Sequence, residues 1–178
     1  MKLNLQMFGG RGAKSSLQPS SGPRKGLKGY FSKARENLKN VAFKVGNKDI
    51  ITDSYSMFIL DKTGLPYSKD KKLIENMKKF DKNVKDFENQ ITEYVDVNTF
   101  TASNKVVDYF GREAYDINGD YGVSAKYIKK AKTILGKDAK IGIAYKEVGF
   151  GSNTQQQPHI IMKNKKGEVA WILPVRKY

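Results

Sequence analysis

YGVSAKYIKKAKTILGKDAKIGIAY, residues 121–145, and PHIIMKNKKGEVAWILPVRKY, residues 158–178, decide the fold. Ser124 is placed to cap a helix whose Tyr127, Ile128, Ala131, Ile134 and Leu135 share one face. Gly136 is placed to end it. Ala139, Ile141, Ile143 and Tyr145 then alternate as a half-buried strand does. Ile160 to Met162 and Val169 to Val175 flank Asn164-Lys165-Lys166-Gly167, which predicts a hairpin with glycine late in its turn. The order strand, helix, strand, hairpin makes this a folded α+β unit. Its last strand, Val169 to Val175, is expected to send Trp171 and Leu173 or Ile172 into the core.

Working back from this unit, Ala114 to Tyr121 reads as a hairpin around Asn118-Gly119, a type I′ signal. Phe100, Val106, Val107 and Phe110 predict a helix over Thr99 to Phe110, stopped by Gly111. Leu73, Met77, Phe80, Val84, Phe87, Ile91 and Tyr94 step by three and four, which predicts a long amphipathic helix over Lys69 to Tyr94, or a helix that enters a strand near Ile91. Val41 to Leu60 reads as a β meander, with a turn at Gly46-Asn47. Tyr30 to Asn40 reads as a short basic helix through Phe31, Ala34 and Leu38.

Residues 1–29 differ in kind. After an apolar start they are rich in Gly, Ser, Pro and basic residues, a composition that does not form a core alone. They are read as a flexible basic arm, and residues 30–178 as one domain. Leu3, Leu5, Met7 and Phe8 form an apolar tag suited to docking on a partner. The alternative is an N-terminal strand packed on its own domain.

The net charge of +15 comes from 33 Lys and Arg against 18 Asp and Glu. Residues 1–40 alone hold nine basic residues and the single acid Glu36. Such an excess favours polyanions, nucleic acid first, although a lysine-rich solvated surface has the same composition. Two groups interleave basic and aromatic residues. One comprises Arg24, Lys25, Lys28, Lys33 and Arg35 with Tyr30. The other comprises Lys126, Lys129, Lys130 and Lys132 with Tyr127. Both are candidate phosphate contacts, and phosphate contact of this kind is non-specific.

Other chemistry is poorly supplied. With no cysteine, thiolate catalysis and Cys-ligated zinc are excluded. His159 is the only histidine, so it has no second imidazole with which to build a common metal site. Asp116, Asn118 and Asp120 lack the glycine and glutamate of a calcium loop. Gly149-Phe150-Gly151 is no dinucleotide loop and reads, with Gln155 to Gln157, as a hairpin connection. Asp138-Ala139-Lys140 has the D-x-K spacing of some nucleases, without partner carboxylates. The reading is a non-enzyme that needs no cofactor or metal. No apolar run reaches the roughly 20 residues of a membrane span.

Two resemblances add to this. Gly122-Val123-Ser124-Ala125-Lys126-Tyr127-Ile128 with Ala131, and the closing Leu173-Pro174-Val175-Arg176, resemble the last segment of a bacterial DNA sliding clamp. Thr52-Asp53-Ser54-Tyr55 is similar to a T-D-G-Y strand of the same family, with serine in place of glycine. The resemblance implies a DNA-clamp-like domain, two helices packed on antiparallel sheets, with the lysines of the Lys126–Lys132 helix facing DNA. The long helix from Lys69 has no counterpart in that pattern. The opening MKLNLQMFGGRG, residues 1–12, resembles virion-morphogenesis proteins of tailed phages of Gram-positive hosts. Together they imply a virion-associated accessory protein acting in the virion or the host cytoplasm, with DNA or a phage structural protein as partner. The other reading is a host-directed factor, either an inhibitor of a host defence or replication protein or a toxin carried in the capsid.

Overall fold

The structure is a computed structural model that describes residues 23–24, 26–27, 30–108, 111–150 and 153–176. The apolar tag at Leu3, Leu5, Met7 and Phe8, together with Lys25 and Lys28, lies outside the described residues. The chain folds as α+β. Its larger sheet comprises β1 (Phe43–Val45), β2 (Lys48–Thr52), β3 (Ser56–Leu60), β4 (Val95–Asp96), β8 (Lys140–Phe150), β9 (Asn153–Lys163) and β10 (Val169–Ile172). Their order is β1-β2-β3-β10-β9-β8-β4, with every pairing antiparallel. A smaller antiparallel sheet is built from β5 (Val106–Asp108), β6 (Glu113–Asp116), β7 (Tyr121–Ser124) and β11 (Val175–Arg176). Their order is β11-β7-β6-β5.

Alternation along the central strands explains the layering. Ile50, Met57, Ile59, Ile161 and Val169 point to one side, where α1 (Lys71–Gln90) covers them with Met77, Val84 and Phe87. Ile51, Phe58, Leu60, Ile160, Met162 and Ile172 point to the other. There α3 (Ala125–Leu135) lays down Ile128, Ala131, Ile134 and Leu135 beside the small sheet. A strand buried on both faces loses the apolar–polar alternation of a half-solvated one. All five residues of β3 are accordingly buried. The two long helices thus occupy opposite faces of the sheet, and only α3 adjoins the small sheet.

Several expected boundaries move. The helix expected over Thr99 to Phe110 is the shorter α2 (Val97–Ser103), and Val106 and Val107 instead pair with Tyr115 and Ala114 in the small sheet. β-Branched neighbours such as these favour an extended ladder once one is available. Tyr30 to Leu38 forms two 3₁₀ turns, not a helix. The Asn118-Gly119 hairpin closes between Ile117 and Tyr121, one residue longer than a type I′ loop, with Asp116 and Asn118 accepting from the amides of Gly119 and Tyr121. Gln155 to Gln157 are not a connection but rungs of β9, opposite Val148, Glu147 and Lys146. The closing strand breaks at Leu173-Pro174 and changes sheets, Val175 pairing with Gly122. Ile172 is fully buried, whereas Trp171 is half-buried on the α1 side and Leu173 is exposed.

The packed chain also begins before residue 30. Leu27 is buried in the α3-side core, and Arg24 forms an ion pair with the buried Glu168 of the β9–β10 turn. Residues 24 and 27 therefore belong to the domain and not to the arm.

Candidate functional site

β7 runs directly into α3 without a connecting loop, which sets the first turn of the helix beside the small sheet. Ser124 occupies the N-cap position, but its side chain makes no capping hydrogen bond. A groove of about 720 Å³ lies here, between the start of α3, α2, the start of β6 and the Leu173–Val175 crossover. Its lining includes the apolar side chains of Val97 and Ile128 and the ring of Tyr115. Arg112, Lys126, Lys129 and Lys132 line it, and among the described residues Glu113 is the one acid that does. Tyr55 and Tyr127 line it as well.

The lysines that the sequence groups together separate into distinct environments. Lys126 and Lys129 are exposed, and neither joins an ion pair among the described residues. Lys132 donates to Asn98 Oδ1 and so ties α3 to α2 across the groove. Lys130 turns toward the core side. Its ammonium donates to the Tyr30 carbonyl at 3.3 Å and lies over the Tyr30 and Tyr127 rings at 5.3 and 5.7 Å. Lys130 is thus held against the packed domain by Tyr30 and Tyr127.

Arg24 is likewise engaged within the fold. Its guanidinium donates to both carboxylate oxygens of Glu168 and to the Ile134 carbonyl at the end of α3. Arg35 is exposed and lines a smaller groove with Met77, Phe80 and Trp171, which adjoins the first at Tyr55 and Leu173 and contains none of the α3 lysines. The Lys33 side chain lies outside the described residues. The N-terminal basic group and the α3 lysines thus do not form one described patch.

Two groove residues, Arg112 and Tyr55, are not marked by the sequence as members of a binding site. Arg112 follows Gly111 in a loop, and only the fold brings it to α3. Tyr55 follows Ser54, whose backbone φ of 78° lies in the left-handed region unusual for serine. Asp53, 1% exposed, holds this turn. Its Oδ1 accepts from the amides of Tyr55 and Ser56 at 3.1 and 2.9 Å and from Ser56 Oγ at 3.1 Å. Its Oδ2 accepts from the Tyr127 hydroxyl at 3.0 Å. Burial, and then the Asp53 carboxylate, push the Tyr127 phenol well up, so it stays protonated.

His159 is remote from this groove. It is buried against Phe87, the rings stacked with centroids 4.1 Å apart, and its Nδ1 accepts from Trp171 Nε1 at 3.2 Å. Burial, and then the charge of Lys146, lower its pKa to about 4, so it is neutral near pH 7. Among the described residues no group of three or more His, Asp or Glu could hold a metal ion, and no helix is long and apolar enough to cross a membrane. Family models, curated proteins and solved structures gave no match to this chain. What the groove can do follows from its own atoms. It offers fixed positive charge for anions and aromatic faces for stacking.

Proposed function

We propose that this protein is a non-catalytic binding module that holds nucleic acid, without sequence preference, in the groove between α2, α3 and the small sheet. The observation that carries the reading is the convergence of Arg112, Lys126, Lys129 and Lys132, from two segments, on one groove whose walls also present tyrosines. Phosphate backbones are recognised by such clustered cations, and aromatic side chains interleaved with them accommodate bases of any kind. The likeness of the α3 segment and the closing Leu173-Pro174-Val175-Arg176 to a clamp-like domain supports the same assignment, because clamps turn the lysines of that helix toward DNA. The likeness of residues 1–12 to virion-morphogenesis proteins supports a phage-encoded protein associated with the virion.

A specific observation favours a second reading. The smaller groove of about 330 Å³, lined by Met77, Phe80, Trp171 and Leu173, is largely apolar and suits a protein partner. A salt titration separates the two. Binding of labelled oligonucleotides should fall steeply with salt, each neutralised phosphate contributing about −0.9 to the log–log slope on duplex and about −0.7 on single strands. Two to four contacts give a slope of roughly −2 to −4. Changing Arg112, Lys126 and Lys129 together to Gln should remove most of that slope. If the wild-type chain does not bind at low salt, or the triple variant binds as tightly, nucleic acid is the wrong partner and the apolar groove takes precedence.

A further inference from the structure

Tyr55 presents an aromatic ring to solvent, 51% exposed, from a turn held by the buried Asp53. Resting on the nucleic-acid reading above, we infer that the ligand of the groove is single-stranded, and that one of its bases stacks on Tyr55.

The backbone on either side of the ring is fixed. The buried Asp53 accepts from the amides of Tyr55 and Ser56, and the Leu173 amide donates to the Tyr55 carbonyl at 3.0 Å. Ser54 is kept in a left-handed conformation that costs a non-glycine residue free energy. A buried carboxylate and a strained serine therefore serve to project a ring that contributes little to the core. A ring on a rigid base loses little conformational freedom when a ligand covers it.

The neighbourhood selects the ligand. Tyr127 stands 6.2 Å from Tyr55, centroid to centroid, tilted by 36°, and its hydroxyl donates to the same Asp53. Both rings line the groove that holds Lys126, Lys129 and Arg112. Base faces and phosphates are thus offered partners within one groove. In a duplex the base faces are already stacked, so a duplex presents this groove with phosphates alone and leaves Tyr55 uncovered. An unpaired strand satisfies both.

The test uses the full chain and a labelled 12-nucleotide thymidine oligomer, with a duplex of equal length for comparison. Wild type should prefer the single strand. Tyr55→Leu should weaken single-strand binding roughly 5- to 150-fold, the range that loss of one base–aromatic stack gives, and leave duplex binding unchanged. Tyr55→Phe should retain most of the affinity, because the stack needs the ring and not the hydroxyl. Thermal unfolding should be near wild type for both variants, since the ring is exposed. The salt slope should persist in Tyr55→Leu and flatten in Lys126→Gln/Lys129→Gln. Equal binding of Tyr55→Leu, or tighter binding of the duplex, overturns the inference. If the lysine-dependent slope survives that result, the nucleic-acid reading stands without it. Absence of binding to either oligonucleotide removes both.

Discussion

Arg24 and Glu168, 144 residues apart in sequence, form a bidentate ion pair that ties the start of the packed chain to the β9–β10 turn. Burial alone would raise the Glu168 carboxyl. Arg24, Asn164 and the Asp61 amide outweigh it and hold the pKa at about 2. The Asn164 side chain also donates to the Leu135 carbonyl, so the same cluster satisfies the C-terminal end of α3.

Arg24→Ala should therefore destabilise the fold. It leaves a carboxylate whose side chain is 3% exposed without its cation, while Arg24 itself is 25% exposed, which moderates the loss. A cost of about 2–4 kcal/mol is expected. A chain starting at Tyr30 should lose more, since the buried Leu27 goes as well. Denaturant midpoints measure both, and a truncated chain as stable as the full one would show that residues 24–27 do not contribute.

His159 makes stability depend on mild acid. Well above pH 6.5 it is neutral in both folded and unfolded chains. Below that value the unfolded chain takes up a proton that the folded chain refuses until about pH 4, so stability falls as pH falls through this window. At pH 5 the loss is roughly 2 kcal/mol. His159→Gln keeps an acceptor for Trp171 without the titration, and its denaturant midpoint should change less than wild type between pH 7 and pH 5. Equal changes in the two proteins would assign the acid sensitivity to another group.

How far these features were legible in the sequence depends on the range of the interactions that make them. α1, α3 and the Lys163–Val169 hairpin are readable because their signals are local, a 3.6-residue period or a turn glycine. Gln155 to Gln157 mislead because ladder hydrogen bonds need no apolar side chain. Val106 and Val107 mislead because they follow a helical segment whose period they happen to extend. Arg24 reads as one more basic residue in an arm, since its partner Glu168 lies 144 positions away. At the groove the sequence shows Lys126 and Lys129 but not Arg112 or Tyr55, which three separate segments assemble. The T-D-S-Y stretch shows where Tyr55 sits, not that a buried Asp53 aims it.

Gly142 illustrates a requirement of close packing. It lies in β8 opposite Ile161, and the 91–94 segment leaving α1 crosses directly over it. A Cβ at this position would stand 2.5 Å from Ile91 Cγ2, 3.1 Å from Tyr94 Cδ1 and 3.2 Å from the Glu93 carbonyl oxygen. Gly142→Ala should cost about 1–3 kcal/mol, the usual penalty of overpacking. Ile91→Ala removes the nearest atom, so the double variant should be less destabilised than the two single costs added together. Additive costs in thermal or denaturant unfolding would mean that the segment shifts away freely.

Ser54 ties stability to binding. Its φ of 78° costs a serine about 1–2 kcal/mol relative to a right-handed conformation, whereas glycine adopts it freely. Part of that gain is lost because glycine gives the unfolded chain more freedom, leaving Ser54→Gly more stable by roughly 0.5–1 kcal/mol. Ser54→Ala, which keeps the strain, should show no gain. The glycine variant also loosens the turn that aims Tyr55, so ordering the ring on a base becomes costlier and single-strand affinity should fall roughly two- to tenfold. Melting temperature and oligonucleotide affinity measured on the same three proteins decide the matter. A less stable Ser54→Gly would mean that the serine is not strained, and a more stable one with unchanged affinity would mean that the rigidity of this turn does not serve the ring it presents.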